Sequence, residues 1–330
     1  MRAIISGAGA AGLLHALAFR ASRVPVAAVF DPDPARAKNL AELFGATVLT
    51  SFDELARVDA EIASVCSPPS AHVEQAEVLS RGRIVFVEKP VATSAIELDR
   101  LRSIGRCVPV VQWRAGRAAR AVRRAIAHGE LGPSPVASCD LAWGRDEAYF
   151  RQRGGWGCGA LLSIGIHALD VMTWMLGGEV EAVSGMTMCS RPAIAHGETA
   201  AIALLRFASG ALLSLRISLD GGADTTRMVV CGRGVTAVIE GGEADPTAST
   251  VNWVTSDDAT LTRLCALERD TPGAIGAPLV VPYLGAALHA IRDGLSPGES
   301  DHLPSIDDCA DAHAAAMCIS ANARPRARAA

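Results

Sequence analysis

The chain has almost no lysine. Of its 31 basic residues only Lys38 and Lys89 are lysines, and the other 29 are arginines. Aromatic residues are scarce, at 4%, which argues against stacking platforms for single-stranded nucleic acid. A net charge of −4 gives no support to nucleic-acid binding either. No apolar run reaches the ~18–20 residues of a membrane span, so no membrane partner is expected. The nine cysteines include no C-x-x-C spacing. Their odd number and apolar surroundings read as small buried side chains in a reducing, cytoplasmic compartment. The eight histidines form no H-E-x-x-H motif and no Cys/His pairing, so no metal site is expected.

What is present describes a globular protein. Half of the 330 residues are hydrophobic and 20% are charged, enough for two domains or one large one. The apolar, Ala/Gly-rich stretch after Met1-Arg2 has the look of a signal sequence. Its glycines have a better explanation, given below.

The first part of the chain alternates strand and helix. The pattern predicts strands over residues 2–6, 26–30, 47–49, 61–66, 83–87 and 108–112. Helices are predicted over 10–21, 34–44, 70–81 and 94–104, with a short one from Ser51. Asp33 is placed to cap the second helix, with Pro34 in its first turn. Near-continuous apolar strands joined by helices imply a parallel sheet buried on both faces. This is an α/β domain of Rossmann type, assigned to residues 1–115.

After residue 115 the rhythm changes. A helix over 117–128 carries arginines at 117, 120, 123 and 124, a stripe that reads as a solvated face. Alternating stretches at 136–143, 180–189, 199–207, 211–219, 227–231 and 235–240 predict a largely antiparallel sheet with one face covered. Two late helices are expected at 281–293 and 305–322. The second domain, α+β in class, is therefore assigned to 116–322. Residues 323–330 read as a disordered tail.

Gly7-Ala8-Gly9-Ala10-Ala11-Gly12 follows the first strand and opens the first helix. In that context the glycines have separate uses: Gly7 for the tight turn, Gly9 for approach of a pyrophosphate to the helix N-terminus, and Gly12 for close packing of helix on strand. The amides of Ala10 and Ala11 belong to the same first turn. Asp31 ends the second strand, 19 residues beyond Gly12. A carboxylate there accepts ribose hydroxyls and repels a 2′-phosphate, which favours NAD over NADP. Arg36, further along that helix, is the residue available for a phosphate if NADP is used. Ser67-Pro68-Pro69 stops the fourth strand beside the expected nicotinamide-side pyrophosphate.

Lys89 follows an apolar strand within Glu88-Lys89-Pro90. The carboxyl end of a buried strand is where open α/β sheets place ligands. Unlike Arg, a Lys can lose its proton when its surroundings favour the neutral amine. A second block, Gly157 to Asp170, reads as a glycine loop entering an amphipathic helix. Ser163, His167 and Asp170 then stand at i, i+4 and i+7 on one face.

Together these blocks resemble the Gfo/Idh/MocA family of sugar and cyclitol oxidoreductases. The matching residues are Gly7-x-Gly9-x-x-Gly12, Asp31, Ser67-Pro68-Pro69-x-x-His72, Glu88-Lys89-Pro90 and Gly165-x-His167-x-x-Asp170. The resemblance implies a Rossmann domain followed by a domain with an open, mainly antiparallel sheet that makes homo-oligomer contacts. It implies that Ser67, Pro68, His72, Glu88 and Lys89 border the cofactor. Lys89 would bind the substrate hydroxyl and assist proton transfer, and His167 would be the acid/base. Tyr149, Arg151 and Trp156 would join Lys89 and His167 in contacting a small polar metabolite. Hydride would pass between the substrate carbon and the nicotinamide. One departure stands out: relatives similar to inositol dehydrogenase carry Asp four residues before the His, and this chain has Ser163. The alternative implied is a dinucleotide-binding protein of the same fold with a non-redox or regulatory role.

Overall fold

The computed structural model describes residues 1–152, 158–192, 195, 197–241, 250–276 and 278–322. Trp156 and the tail 323–330 lie outside the described residues. Two compact units make up the chain. One is Met1–Gln112 with Val280–Ala310, and the other is Trp113–Leu279 with the chain from Asp311 onward. The single cut expected after residue 115 is thus replaced by a chain that leaves the first unit and returns to it.

The first unit is a six-stranded sheet of β1 (Ala3–Ser6), β2 (Val26–Phe30), β3 (Thr47–Val48), β4 (Ile62–Val65), β5 (Ile84–Val87) and β6 (Cys107–Pro109). Every pairing is parallel, in the order β3-β2-β1-β4-β5-β6. The strands are continuous in apolar residues because helices cover both faces. Ile4, Ile5, Ala63, Val65, Val85, Phe86 and Val87 are wholly buried. The connecting helices are α1 (Ala10–Ala21), α2 (Pro34–Phe44), α3 (Phe52–Arg57), α4 (His72–Leu79) and α5 (Ala95–Ile104). The Asp33 carboxylate caps α2 by accepting from Ala35 N and Arg36 N, with Pro34 in the first turn, as the sequence predicts.

The returning segment carries a helix, Val280–Arg292 (α10 in chain order), which packs on α1. The Tyr283 hydroxyl donates to Pro109 O. These contacts give the late segment its place in the first unit. Arg83 shows one use of the chain's preference for arginine. Its guanidinium is buried and donates to the carbonyls of Ala56, Val58, Ala60 and Leu79, at the ends of α3 and α4. An ammonium has only three protons to offer such a set.

The second unit contains β7 (Val136–Ala142), β8 (Val180–Met188), β9 (Ala200–Phe207), β10 (Leu212–Ser218), β11 (Thr225–Gly232), β12 (Val235–Gly241) and β13 (Asn252–Val254). Their order is β13-β12-β11-β7-β10-β9-β8. Only β7 and β10 pair parallel, and the other neighbours are antiparallel. The β11–β12 hairpin turns on Arg233 and Gly234, both at positive φ, as a two-residue turn requires. Along β9 and β10, Ala203, Leu205, Leu213, Leu215 and Ile217 point into the core, while Ile202, Leu204 and Leu212 are exposed.

Helices α6 (Arg117–Ala127), α7 (Glu147–Gln152), α8 (Ile166–Leu176) and α9 (Asp258–Arg269) belong to this unit. The last helix, α11 (Asp307–Asn322), carries residues of both units. The arginine stripe of α6 is not a solvated face. Arg123 lies 4.3 Å over the Trp174 ring, and Arg124 donates to Asp270 O and Thr271 Oγ1. The stripe caps and packs against neighbouring elements through its long aliphatic stems. Nor is the helix after the glycine loop amphipathic. Every residue from Ala160 to Leu176 is buried, and its first turn, Leu161–Gly165, is a π-turn. A Cβ at Gly165 would come within 2.2 Å of Ile217 Cδ1 on β10. The glycine therefore lets the helix lie directly on the sheet.

Candidate active site

In the first unit the strand order reverses between β1 and β4, and ligands of open α/β sheets bind at such a point. The loops that leave these two strands carry the predicted residues. Gly7 has φ +100°, and a Cβ there would lie 2.5 Å from the Cys66 carbonyl. A Cβ at Gly12 would lie 2.1 Å from Gly7 O. Both positions demand glycine for the backbone's own packing. Gly9 differs, since a Cβ there would meet nothing within 4 Å. It is the N-cap of α1 and brings no side-chain cap. The first-turn amides of Ala10, Ala11 and Gly12 therefore face an open cradle suited to a diphosphate. Ser67 Oγ, at the end of β4, is buried and lacks a hydrogen-bond partner among the described residues. Open glycine, uncapped helix and orphaned hydroxyl together fit a dinucleotide.

Asp31 stands at the end of β2 as predicted. Its Oδ2 accepts from Ala8 N at 2.7 Å and its Oδ1 from Asp33 N at 2.9 Å. The carboxylate is thereby fixed beside the glycine turn, with further lone pairs for ribose hydroxyls. Arg36 lies on the surface of α2, paired with Asp33 at 3.3 Å.

His72 and Glu88 are engaged with the protein's own groups around the two loops. His72 is 1% exposed. Its Nδ1 meets Pro90 O at 2.9 Å and its Nε2 meets Ser67 O at 2.8 Å. The ring ties the loop after β4 to the loop after β5. Burial pushes its pKa below the usual imidazole range, with the two carbonyls opposing. Glu88 is 8% exposed. Its Oε1 lies 3.1 Å from His15 Nε2, and its Oε2 accepts from Lys89 N at 3.1 Å. Burial pushes this carboxyl up. The His15 contact, the Lys89 charge and the Lys89 amide outweigh burial and hold it below the ordinary carboxylate range. Lys89 itself emerges from this turn, and its bond to Pro90 is cis.

Sequence reasoning passed over His15. It lies on α1, wholly buried, with Nδ1 2.8 Å from Ser64 Oγ on β4. A lone His on an apolar helix gives no sequence signal of its partners.

In the second unit, α8 carries His167 and Asp170. The short helix Gln112–Ala115 supplies partners for both. Trp113 stacks on His167, with ring centroids 5.2 Å apart and planes 9° from parallel. Arg114 grips Asp170 through Nε at 2.8 Å and Nη2 at 2.6 Å. Both members of this bidentate pair are almost fully buried. Ser163 lies in the π-turn and lines a small cavity with Tyr149, Phe150, Cys158 and Glu198. Glu198 was also missed. Its Oε1 accepts from Leu161 N, and its backbone carbonyl accepts from Ala160 N. It closes the start of the helix that carries Ser163. Of the predicted substrate contacts, Tyr149 lines this cavity. Arg151 is exposed and bridges to Glu147 one helical turn away, a surface pair rather than a cavity wall.

A parallel sheet with a glycine cradle at its switch point, joined to a unit built on a mixed seven-stranded sheet, defines a two-domain dinucleotide-binding α/β protein. Residues 1–106 match the oxidoreductase family with an NAD-binding Rossmann fold, and residues 119–238 match the GFO/IDH/MocA C-terminal domain. The chain belongs to the Gfo/Idh/MocA family of oxidoreductases. Over 184 residues it is 31% identical to the rhizopine catabolism protein MocA of Rhizobium meliloti, covering 52% of this chain and 56% of that protein. The chain spans about half the length of the curated relatives it matches.

Among solved structures it resembles the WlbA dehydrogenase of Bordetella pertussis, determined with NADH and UDP-GlcNAcA. The TM-score is 0.80 and the identity 20%, over 97% of this chain and 96% of that one. Levoglucosan dehydrogenase, determined with NADH and levoglucosan, gives a TM-score of 0.78 at 17% identity, over 98% and 97% of the two chains. At these identities the likeness is one of fold.

Proposed function

We propose that the chain is an NAD-dependent dehydrogenase or reductase acting on a hydroxyl or keto carbon of a sugar, cyclitol or related polar metabolite. The carrying observation is the Glu88-Lys89-Pro90 turn at the end of β5, held by two buried histidines in a chain that has arginine at 29 of its 31 basic positions. The bound nicotinamide supplies the hydride acceptor or donor. Gly9, the first turn of α1, Asp31 and Ser67 hold the dinucleotide. Lys89 binds the reacting hydroxyl and takes its proton, while His167 serves as acid/base. Tyr149 contributes to recognition of the metabolite, and Ser163 is a secondary member of the catalytic set. Myo-inositol, levoglucosan and UDP-N-acetylglucosamine form the first substrate panel, followed by the absorbance of reduced nicotinamide.

NAD is the expected cofactor. The Asp31 carboxylate, held at the end of β2 by Ala8 N and Asp33 N, would accept ribose hydroxyls and repel a 2′-phosphate, and Arg36 is paired with Asp33. Like-charge contact should weaken NADP relative to NAD by about tenfold or more. Calorimetry giving equal or tighter NADP binding would remove this assignment.

The Ser163 departure bears on proton handling. His167→Ala is expected to cost far more turnover than Ser163→Ala, because a Ser hydroxyl does not exchange a proton near neutral pH. Ser163→Asp adds a negative charge one turn away, which favours the protonated imidazole. The pH–rate profile should then move to higher pH. If the two alanine variants are equally damaging, the non-redox reading of the fold gains over the dehydrogenase.

The exposed face of the second sheet presents Met186, Met188, Ile202, Leu204 and Leu212 beside the Arg216–Asp140 and Arg227–Glu240 pairs. We assign it to a second copy of the chain, since a two-fold contact pairs one surface with itself and this face carries apolar side chains and both charge signs. The cytoplasm is the proposed compartment, in keeping with the free cysteines. Among the described residues no helix is long and apolar enough to cross a membrane. Among them, too, no group of three His, Cys, Asp or Glu side chains is placed to hold a metal.

A further inference from the structure

We infer that His15 is a positioning residue for Lys89, acting through Glu88 across the core of the first unit. The inference rests on the role proposed for Lys89 and adds what holds that lysine in place. Three buried side chains form a line from β4 through α1 to the end of β5. Ser64 Oγ lies 2.8 Å from His15 Nδ1, and His15 Nε2 lies 3.1 Å from Glu88 Oε1. Ser64 and His15 are 0% exposed and Glu88 is 8% exposed. With the proton on Nε2, His15 donates to Glu88 while Nδ1 accepts from the Ser64 hydroxyl. The line continues beyond the carboxylate, because Glu88 Oε2 accepts from the backbone amide of Lys89.

The backbone from which Lys89 projects is thus held by a charged acceptor. That acceptor's other oxygen is held by a ring on α1. His15 stands one turn beyond Gly12, on the helix whose N-terminus forms the diphosphate cradle. One helix therefore references both the cofactor and the lysine. An apolar pair would fill the same core without the desolvation of a carboxylate. Retaining the polar line fixes direction, since hydrogen bonds specify an orientation that apolar packing does not. His72 secures the other side of the turn through Pro90 O. Phe19 packs edge-on against His15, with centroids 6.3 Å apart.

The scarcity of lysine provides the test. Isotope-labelled lysine gives two side-chain signals, from Lys38 and Lys89. Lys38 lies exposed on α2 beside Glu42 and serves as the internal reference. In His15→Leu the Lys89 signal should move and broaden while that of Lys38 stays. NAD affinity by calorimetry should stay within about threefold, and kcat on a panel substrate should fall about 10–100-fold at nearly constant KM. His15→Gln offers a donor to Glu88 and an acceptor to Ser64, and should restore the Lys89 signal and most of the turnover.

A folded His15→Leu chain with an unmoved Lys89 signal would overturn the inference. So would loss of NAD binding together with turnover, which would mark a cradle residue instead. If His15→Leu does not fold, Glu88→Gln carries the test, and an unmoved Lys89 signal there overturns it equally. The spectra need no substrate. Full turnover by Lys89→Met would therefore sink the proposed chemistry and leave the positioning question to be read separately.

Discussion

Replacing Lys89 by methionine is expected to lower turnover by about 10²–10⁴-fold while dinucleotide affinity changes by no more than about threefold. Methionine keeps the length and apolar stem of the side chain and removes only the amine. The loss therefore reports the proton that must leave the hydroxyl as hydride departs. Binding should survive, because the cradle is built from the backbone of Gly9 and the first turn of α1 and from Asp31. The matched pair of measurements is kcat with the best panel substrate and calorimetric NAD affinity. Near-normal turnover would remove Lys89 from the mechanism. Lost NAD binding would show that its role is to hold the turn.

The second large effect concerns the second unit. Arg114→Met or Asp170→Leu alone is expected to destabilise the chain by about 3–5 kcal/mol, the range for breaking a buried ion pair. Both groups are nearly inaccessible and joined by two short hydrogen bonds. Removing one strands the other's charge in the core. Changing both to apolar residues should recover much of the loss, because no unpaired charge remains. The reading is the shift of the urea midpoint at constant slope. A double variant no better than the singles would assign the loss to packing against Trp174, over whose ring Arg114 also lies at 5.9 Å.

Much of the first unit was legible because its signals are local. A run such as Ile84–Val87 has no polar face, and its shortness and β-branched residues mark it as a strand covered on both sides. Gly7 and Gly12 announce themselves because the backbone tolerates no side chain there. The second unit was read less completely. Helix α9 escaped notice although Asp257 caps it by accepting from Ala259 N and Thr260 N. Of its residues only Leu264 and Glu268 are buried, and Glu268 accepts from Val251 N and Trp253 Nε1. Such a long-range tie leaves no periodicity.

The candidate site shows the same division. The motif residues at 7–12, 31 and 89 could be placed from spacing. The partners of His72 and Glu88 could not, because Ser67, Pro90 and His15 belong to other elements. His15, Glu198 and the Arg114–Asp170 pair connect residues far apart in sequence. Pairings of that kind are set by tertiary packing alone. The expected common face for Ser163, His167 and Asp170 assumed a regular α-helix. Ser163 lies in the π-turn at Leu161–Gly165, a widening that residue spacing does not announce.

The most direct test of the account is reduction of NAD by the purified chain over a panel of sugars and cyclitols, run beside Lys89→Met. The account predicts that at least one member reduces NAD, and that the variant binds NAD normally but does not reduce it. Tight NAD binding with no reduction by any member, and no oxidation of NADH by the corresponding ketones, would contradict it.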